Sequence, residues 1–181
     1  MRFCPSVYRA ENKSGRQSFI IAYLCGFVFW SLAVYWLIHV TLVGQIVLIL
    51  YLAIYSAIFG CTFYLSRSFS PASRLFFIPS AWVLLEYIRS YLFTGFPWAL
   101  LGFSQYKNLP VIQIADITGA WGVSFLVLLA NAALYLILRK QSRIKVSLIA
   151  SAILILSLLY GFHKLSYKPN LSGDGEWLKI S

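Results

Sequence analysis

Acidic residues are scarce: the 181-residue chain has 5 Asp and Glu against 15 Lys and Arg, with 3 Cys, 2 His and one Met. So few carboxylates leave no paired-carboxylate site legible. Nor is there a glycine-rich phosphate loop or a Ser/His/Asp set. His39 and His163 lack a carboxylate cluster around them and Cys4, Cys25 and Cys61 lack metal-type spacing, so neither a metal nor a cofactor is expected. Cys25 and Cys61 fall in apolar stretches with nothing nearby to generate a thiolate, and they read as small core residues.

Charge of either sign is missing altogether from residues 17–66. One membrane-crossing helix needs roughly 20 apolar residues, so this run holds two, with the turn between them expected at Gly44 and Gln45. The chain as a whole is 60% hydrophobic and 18% aromatic with a mean hydropathy of +0.78, which excludes a water-soluble globule. Its polar start is long and the apolar run after it exceeds the roughly 7–15 residues of a signal-peptide core, so the first span is read as an anchor.

The apolar stretches predict an all-α polytopic bundle of about five spans, at residues 18–40, 46–65, 75–93, 119–138 and 146–162. Residues 1–17 then form a basic tail and 167–181 a turn-rich linker, whose last residues from Trp177 alternate like the start of a strand. Arg2, Arg9, Lys13, Arg16, Arg67, Arg74, Arg139, Lys140, Arg143 and Lys145 fall on one side. Only Lys107, Lys164, Lys168 and Lys179 fall on the other. The positive-inside rule makes the first group cytoplasmic, which puts the amino terminus inside and the carboxyl tail outside. The net charge of +10 is thereby a topology signal, and no nucleic-acid partner is expected. In the fourth span Gly119, Gly122 and Ser124 suit close helix approach, and Asn131 suits an interhelical hydrogen bond.

An acid and a base stand inside the third apolar run, Glu86 and Arg89, and ionisable residues at such depth are costly enough to mark a functional site. Three positions apart, they share a helix face and can pair. They either neutralise each other to orient the helix, or Arg89 offers its forked donors to a phospholipid phosphate at the outer interface. The run then stops at Thr94 and Gly95, and Phe96 precedes Pro97, which pushes the backbone out of helical geometry. Trp98, Phe103 and Tyr106 fit an interfacial aromatic belt, and residues 99–103 and 111–117 are apolar enough to lie in the outer leaflet.

From Trp82 through Glu86, Arg89, Thr94, Gly95, Phe96, Pro97 and Trp98 to Gln105, and again over residues 119–126, the chain resembles the membrane part of apolipoprotein N-acyltransferases. The resemblance implies a multi-pass protein of the bacterial inner membrane. Its partners would be phospholipid and a diacylglyceryl lipoprotein, between which the family moves an acyl chain. It also implies that the chemistry belongs to a periplasmic nitrilase-like domain with a Glu, Lys and Cys set. That domain would follow Ser181 or be encoded separately, so the chain is expected to be a fragment or split half, catalytically silent alone. None of its three cysteines matches the family's nucleophile. Two other classes compete: a small transporter or channel subunit built around Glu86, Arg89 and Asn131, and a purely structural membrane protein.

Overall fold

The computed structural model describes residues 14–92, 95–139 and 143–166. All regular structure among them is helical: α1 (Gly15–Ala33), α2 (Leu42–Leu65), α3 (Pro71–Tyr91), the single turn α4 (Leu109–Ile112), α5 (Ala115–Leu138) and α6 (Arg143–Ser166). Short 3-10 turns occupy Tyr35–His39, Ser66–Ser68 and Leu101–Gln105. Cys4, Thr94, residues 1–13 of the expected basic tail and the linker with its strand-like end lie outside the described residues, while Gly15, Arg16 and Gln17 of that tail already belong to α1.

Four helical segments are long and apolar enough to cross a membrane: Gly15–Ala33, Leu42–Ser68, Ala115–Leu138 and Ile144–Ser166. The remaining expected span corresponds to α3. Its 21 residues reach about 31 Å at 1.5 Å per residue, close to the hydrocarbon thickness, but it carries Arg74, Glu86 and Arg89. Length alone therefore qualifies it. Outward faces are studded with exposed Leu24, Val28, Leu32, Val47, Leu148 and Leu156, whereas Ser18, Gly26, Gly60 and Ser124 point inward. Apolar outside and small inside is the pattern of a multi-pass membrane protein, where close packing and not apolar burial joins the helices.

The first hairpin differs from the sequence expectation. Gly44 and Gln45 lie within the first turn of α2, and the chain reverses earlier, through Tyr35–His39. Thr41 is the N-cap, its hydroxyl accepting from Gly44 N at 3.3 Å. Gln45 is helical because its amide has a task there: Nε2 donates to the carbonyls of Val34 and Tyr35 at 3.3 and 3.4 Å, satisfying the end of α1. Across the α1/α2 seam the backbones approach so closely that a Cβ on Gly60 would sit 2.2 Å from the Cβ of Ala22. α3 begins at Ser70, an N-cap to Ser73 N, with Pro71 in its first turn, and it tolerates a buried Pro79 in mid-helix. α5 starts four residues earlier than the expected span and breaks at Gly119, where φ is +66°.

The two ends of the bundle differ in kind. At one, Phe63, Leu75, Ile78, Leu129, Tyr135, Leu136 and Val146 form a filled core from α2, α3, α5 and α6. Basic residues rim it. Arg67 lies over the Tyr64 ring at 3.9 Å, while Arg74 and Arg139 both approach the Tyr135 ring, at 5.9 and 5.8 Å. At the other end lie the first hairpin, the close of α3 and the segment 95–114. That segment meets α6 at Gly161, which abuts the Pro110 carbonyl, and just after it Asp116 in the first turn of α5 pairs with Lys164 of α6 at 2.7 Å.

Candidate functional site

Glu86 and Arg89 are buried at this second end, 2% and 3% exposed. They do share a face of α3, as their spacing predicts, but their hydrogen bonds go elsewhere. Oε1 of Glu86 accepts from Trp82 Nε1 at 2.8 Å, one turn back on the same helix, and from Leu101 N at 2.7 Å. The second of these caps the 3-10 turn Leu101–Gln105, and Gly102 N is capped in the same manner by Ser124 Oγ of α5 at 2.8 Å. Two helices thus hold the first two amides of one turn, replacing the water that a membrane interior does not supply.

Arg89 is folded in against the outer segment. Its Nη2 donates to the Trp98 carbonyl at 3.3 Å, and its guanidinium carbon stands 4.9 Å from the centre of the Trp30 ring. Around it runs a chain of aromatic contacts: Trp30 with Phe96 at 6.1 Å, Phe96 with Trp98 at 5.7 Å, and Trp98 with Trp36 of the first hairpin at 5.5 Å. The backbone makes this possible through two left-handed residues. Gly95 has φ +72°, where a Cβ would stand 2.4 Å from the Ser90 carbonyl oxygen, and Ala99 has φ +55° despite its side chain. The strain at Ala99 is held between the Arg89–Trp98 and Glu86–Leu101 hydrogen bonds.

Beneath this cap is a cavity of about 420 Å³, within the range of small-molecule sites. Its wall is almost wholly apolar, drawn from Ile21, Phe29, Phe59, Phe63, Leu128 and their neighbours, with Ala99 and Leu101 closing it from the outer segment. Gly26 and Gly60 line it where α1 and α2 are in closest contact, a Cβ on Gly26 being 2.4 Å from that of Ser56. Trp30, Ser56 and Trp82 line it too, and the same three line a much smaller gap that also contains Tyr55, Leu85, Glu86 and Arg89. An apolar chamber therefore adjoins a buried acid and base. That arrangement can seat an alkyl chain.

Of the residues singled out in the sequence, Glu86, Arg89, Phe96 and Trp98 come together. Gly95 supplies the turn and Pro97 is exposed. Gln105 lies outside the cavity wall, its amide on Ser104 Oγ at 3.1 Å. Asn131 lines the cavity, yet its Nδ2 donates to Val127 of its own helix at 2.7 Å, not across to a neighbour. Cys25 is exposed and part of the cavity wall, not core. Trp30 went unsignalled as one among 6 tryptophans, and Leu101 lies in the signature stretch without its role showing there, since it acts through its backbone amide. Among the described residues, no group of three His, Cys, Asp or Glu comes together that could hold a metal.

Residues 2–133 match the family described as apolipoprotein N-acyltransferase N-terminal domain. The chain is similar to three proteins named apolipoprotein N-acyltransferase. With that of Geobacter metallireducens it is 37% identical, over 90% of this chain and 34% of the relative. The corresponding figures are 32%, 88% and 32% for Pasteurella multocida, and 31%, 92% and 35% for Rickettsia prowazekii. The chain thus spans about a third of the length of these curated relatives. The signature around Glu86 and Arg89, the helical membrane architecture and the match over most of the sequence agree: this chain belongs to the apolipoprotein N-acyltransferase family.

Proposed function

We propose that this chain is the membrane module of an apolipoprotein N-acyltransferase, and that the hollow end of its bundle receives acyl chains of the phospholipid donor and of the diacylglyceryl lipoprotein acceptor. The observation that carries the reading is the apolar cavity of about 420 Å³ lying directly beneath the family's signature residues. Ala99 and Leu101 close it, Glu86 and Arg89 hold the segment that carries them through Leu101 N and the Trp98 carbonyl, and Gly95 and Pro97 belong to the turn that leads into it. On this reading the roles of Glu86 and Arg89 are to hold the outer segment in place over the chamber. The covalent steps fall to a nitrilase-like domain, whether joined to this polypeptide or encoded apart.

The location follows from the same reading: the bacterial inner membrane, with the basic end of the bundle cytoplasmic and the hollow end on the outer side. Arg67, Arg74 and Arg139 at the first end support that orientation. A chimera tests the function. Residues 15–166 replace the matching region of the Geobacter metallireducens relative, and transfer to a diacylglyceryl peptide is measured in membranes. The chimera is expected to retain N-acylation, and Leu128→Trp, which fills the cavity, to reduce it at least tenfold while leaving the protein folded. Equal activity with the cavity filled rejects the reading.

A further inference from the structure

Three buried polar atoms around the small gap have no hydrogen-bond partner: Oε2 of Glu86, Nε of Arg89 and Nε1 of Trp30. Their residues are each at most 3% exposed, so bulk water does not serve them. Leaving such groups unpaired is costly, and three of them on one gap mark a place built for a ligand atom. The set is mixed in kind. Oε2 is an acceptor in want of a donor, while the two nitrogens are donors in want of an acceptor.

Size and valence narrow the occupant. The gap measures about 10 Å³, room for about one water-sized group. A phosphate is too large for it. An ester carbonyl accepts only and leaves Oε2 unpaired, whereas an ammonium donates only and leaves the nitrogens unpaired. A hydroxyl does both: its proton goes to Glu86 Oε2 and its lone pairs accept from Trp30 Nε1 and Arg89 Nε. Since Trp30, Ser56 and Trp82 border both spaces, the gap lies beside the cavity.

We propose that the Glu86, Arg89 and Trp30 gap is a hydroxyl-binding subsite, and that it takes the free glycerol hydroxyl of a monoacyl glycerolipid whose chain lies in the adjoining cavity. The proposal rests on the acyl-chain reading above and adds a preference to it. A diacyl lipid has both chain-bearing glycerol oxygens esterified and offers no such proton, so the site distinguishes the deacylated lipid from its parent. Water has the same hydrogen-bonding chemistry and is the other source of a hydroxyl.

Quenching of tryptophan fluorescence separates these sources, because Trp30 and Trp82 both face the cavity. The full 181-residue protein in detergent micelles is titrated with a monoacyl glycerophosphocholine brominated on its chain, and with the same lipid O-methylated at the glycerol hydroxyl. The free hydroxyl is expected to lower the concentration for half-maximal saturable quenching about tenfold. Glu86→Gln removes the charged acceptor and should narrow that ratio to under threefold. Trp30→Phe, which keeps a ring beside Phe96 and Arg89, should narrow it likewise even if the Glu86 variant misfolds. Saturable quenching of equal affinity by both lipids overturns the hydroxyl subsite, assigns the gap to water and leaves the acyl-chain reading standing. Absence of saturable quenching by either lipid overturns both.

Discussion

The two ends of this bundle each bury an arginine, and they do so to opposite effect. Arg74 is 2% exposed beside a core in which Leu75, Leu129, Leu136 and Val146 have no exposed surface at all. Arg89 is as deeply buried, but its neighbours leave a cavity and a left-handed alanine. Protein interiors are ordinarily filled, and strained or unsatisfied groups persist where the surrounding structure is shaped for a purpose. The filled end is the scaffold. The hollow end is where we propose that a molecule from the membrane fits.

Substitutions at the two ends should therefore separate stability from lipid handling. The largest expected loss of stability is at the filled end: Leu129→Ala leaves a void that close-packed neighbours cannot collapse, at a cost of about 2–5 kcal/mol by denaturation in detergent. Affinity for an acyl lipid in the remaining folded protein should not change. At the hollow end, Glu86→Ala strips the acceptor from Leu101 N and Trp82 Nε1, an expected loss of about 1–3 kcal/mol. Amide exchange should rise locally at Leu101, and should stay unchanged in α6.

Smaller again is Ser124→Ala, which removes one hydrogen bond to Gly102 N and should cost about 1 kcal/mol, with faster exchange confined to that turn. Least is expected of Asp116→Asn. The Lys164 pair it breaks is about half exposed on both sides, and such pairs contribute little. An unchanged melting temperature would agree, whereas a clear drop would mean that the outer segment depends on that clasp and not on Glu86 and Ser124.

Much of this architecture is written in composition, because a bilayer demands long apolar helices and punishes misplaced charge. Glu86 and Arg89 stood out for that reason. Their pairing did not, since a backbone amide fifteen residues away has no signature in the amino-acid letters. Gly44 looks like a turn, but the hydroxyl of Thr41 three residues earlier starts α2, and α1 has already ended at Ala33. The third span was legible as a span only through its length. Three charges offset its apolar residues, and Pro79 inside it is tolerated where neighbouring helices surround it. A cavity is least legible of all, being drawn from residues as far apart in sequence as Ile21, Phe59, Ala99 and Leu128.

The most direct test of the hollow end as a lipid site is crosslinking with a phospholipid that carries a photoactivatable group midway along one acyl chain, in membranes containing the full chain, mapped by mass spectrometry. Adducts concentrated on Phe29, Phe59 and Leu128, and diminished by Leu128→Trp, are the expected result. Adducts confined to the outward-facing Leu24, Val28, Leu32 and Leu156, with the cavity residues unlabelled, would contradict it.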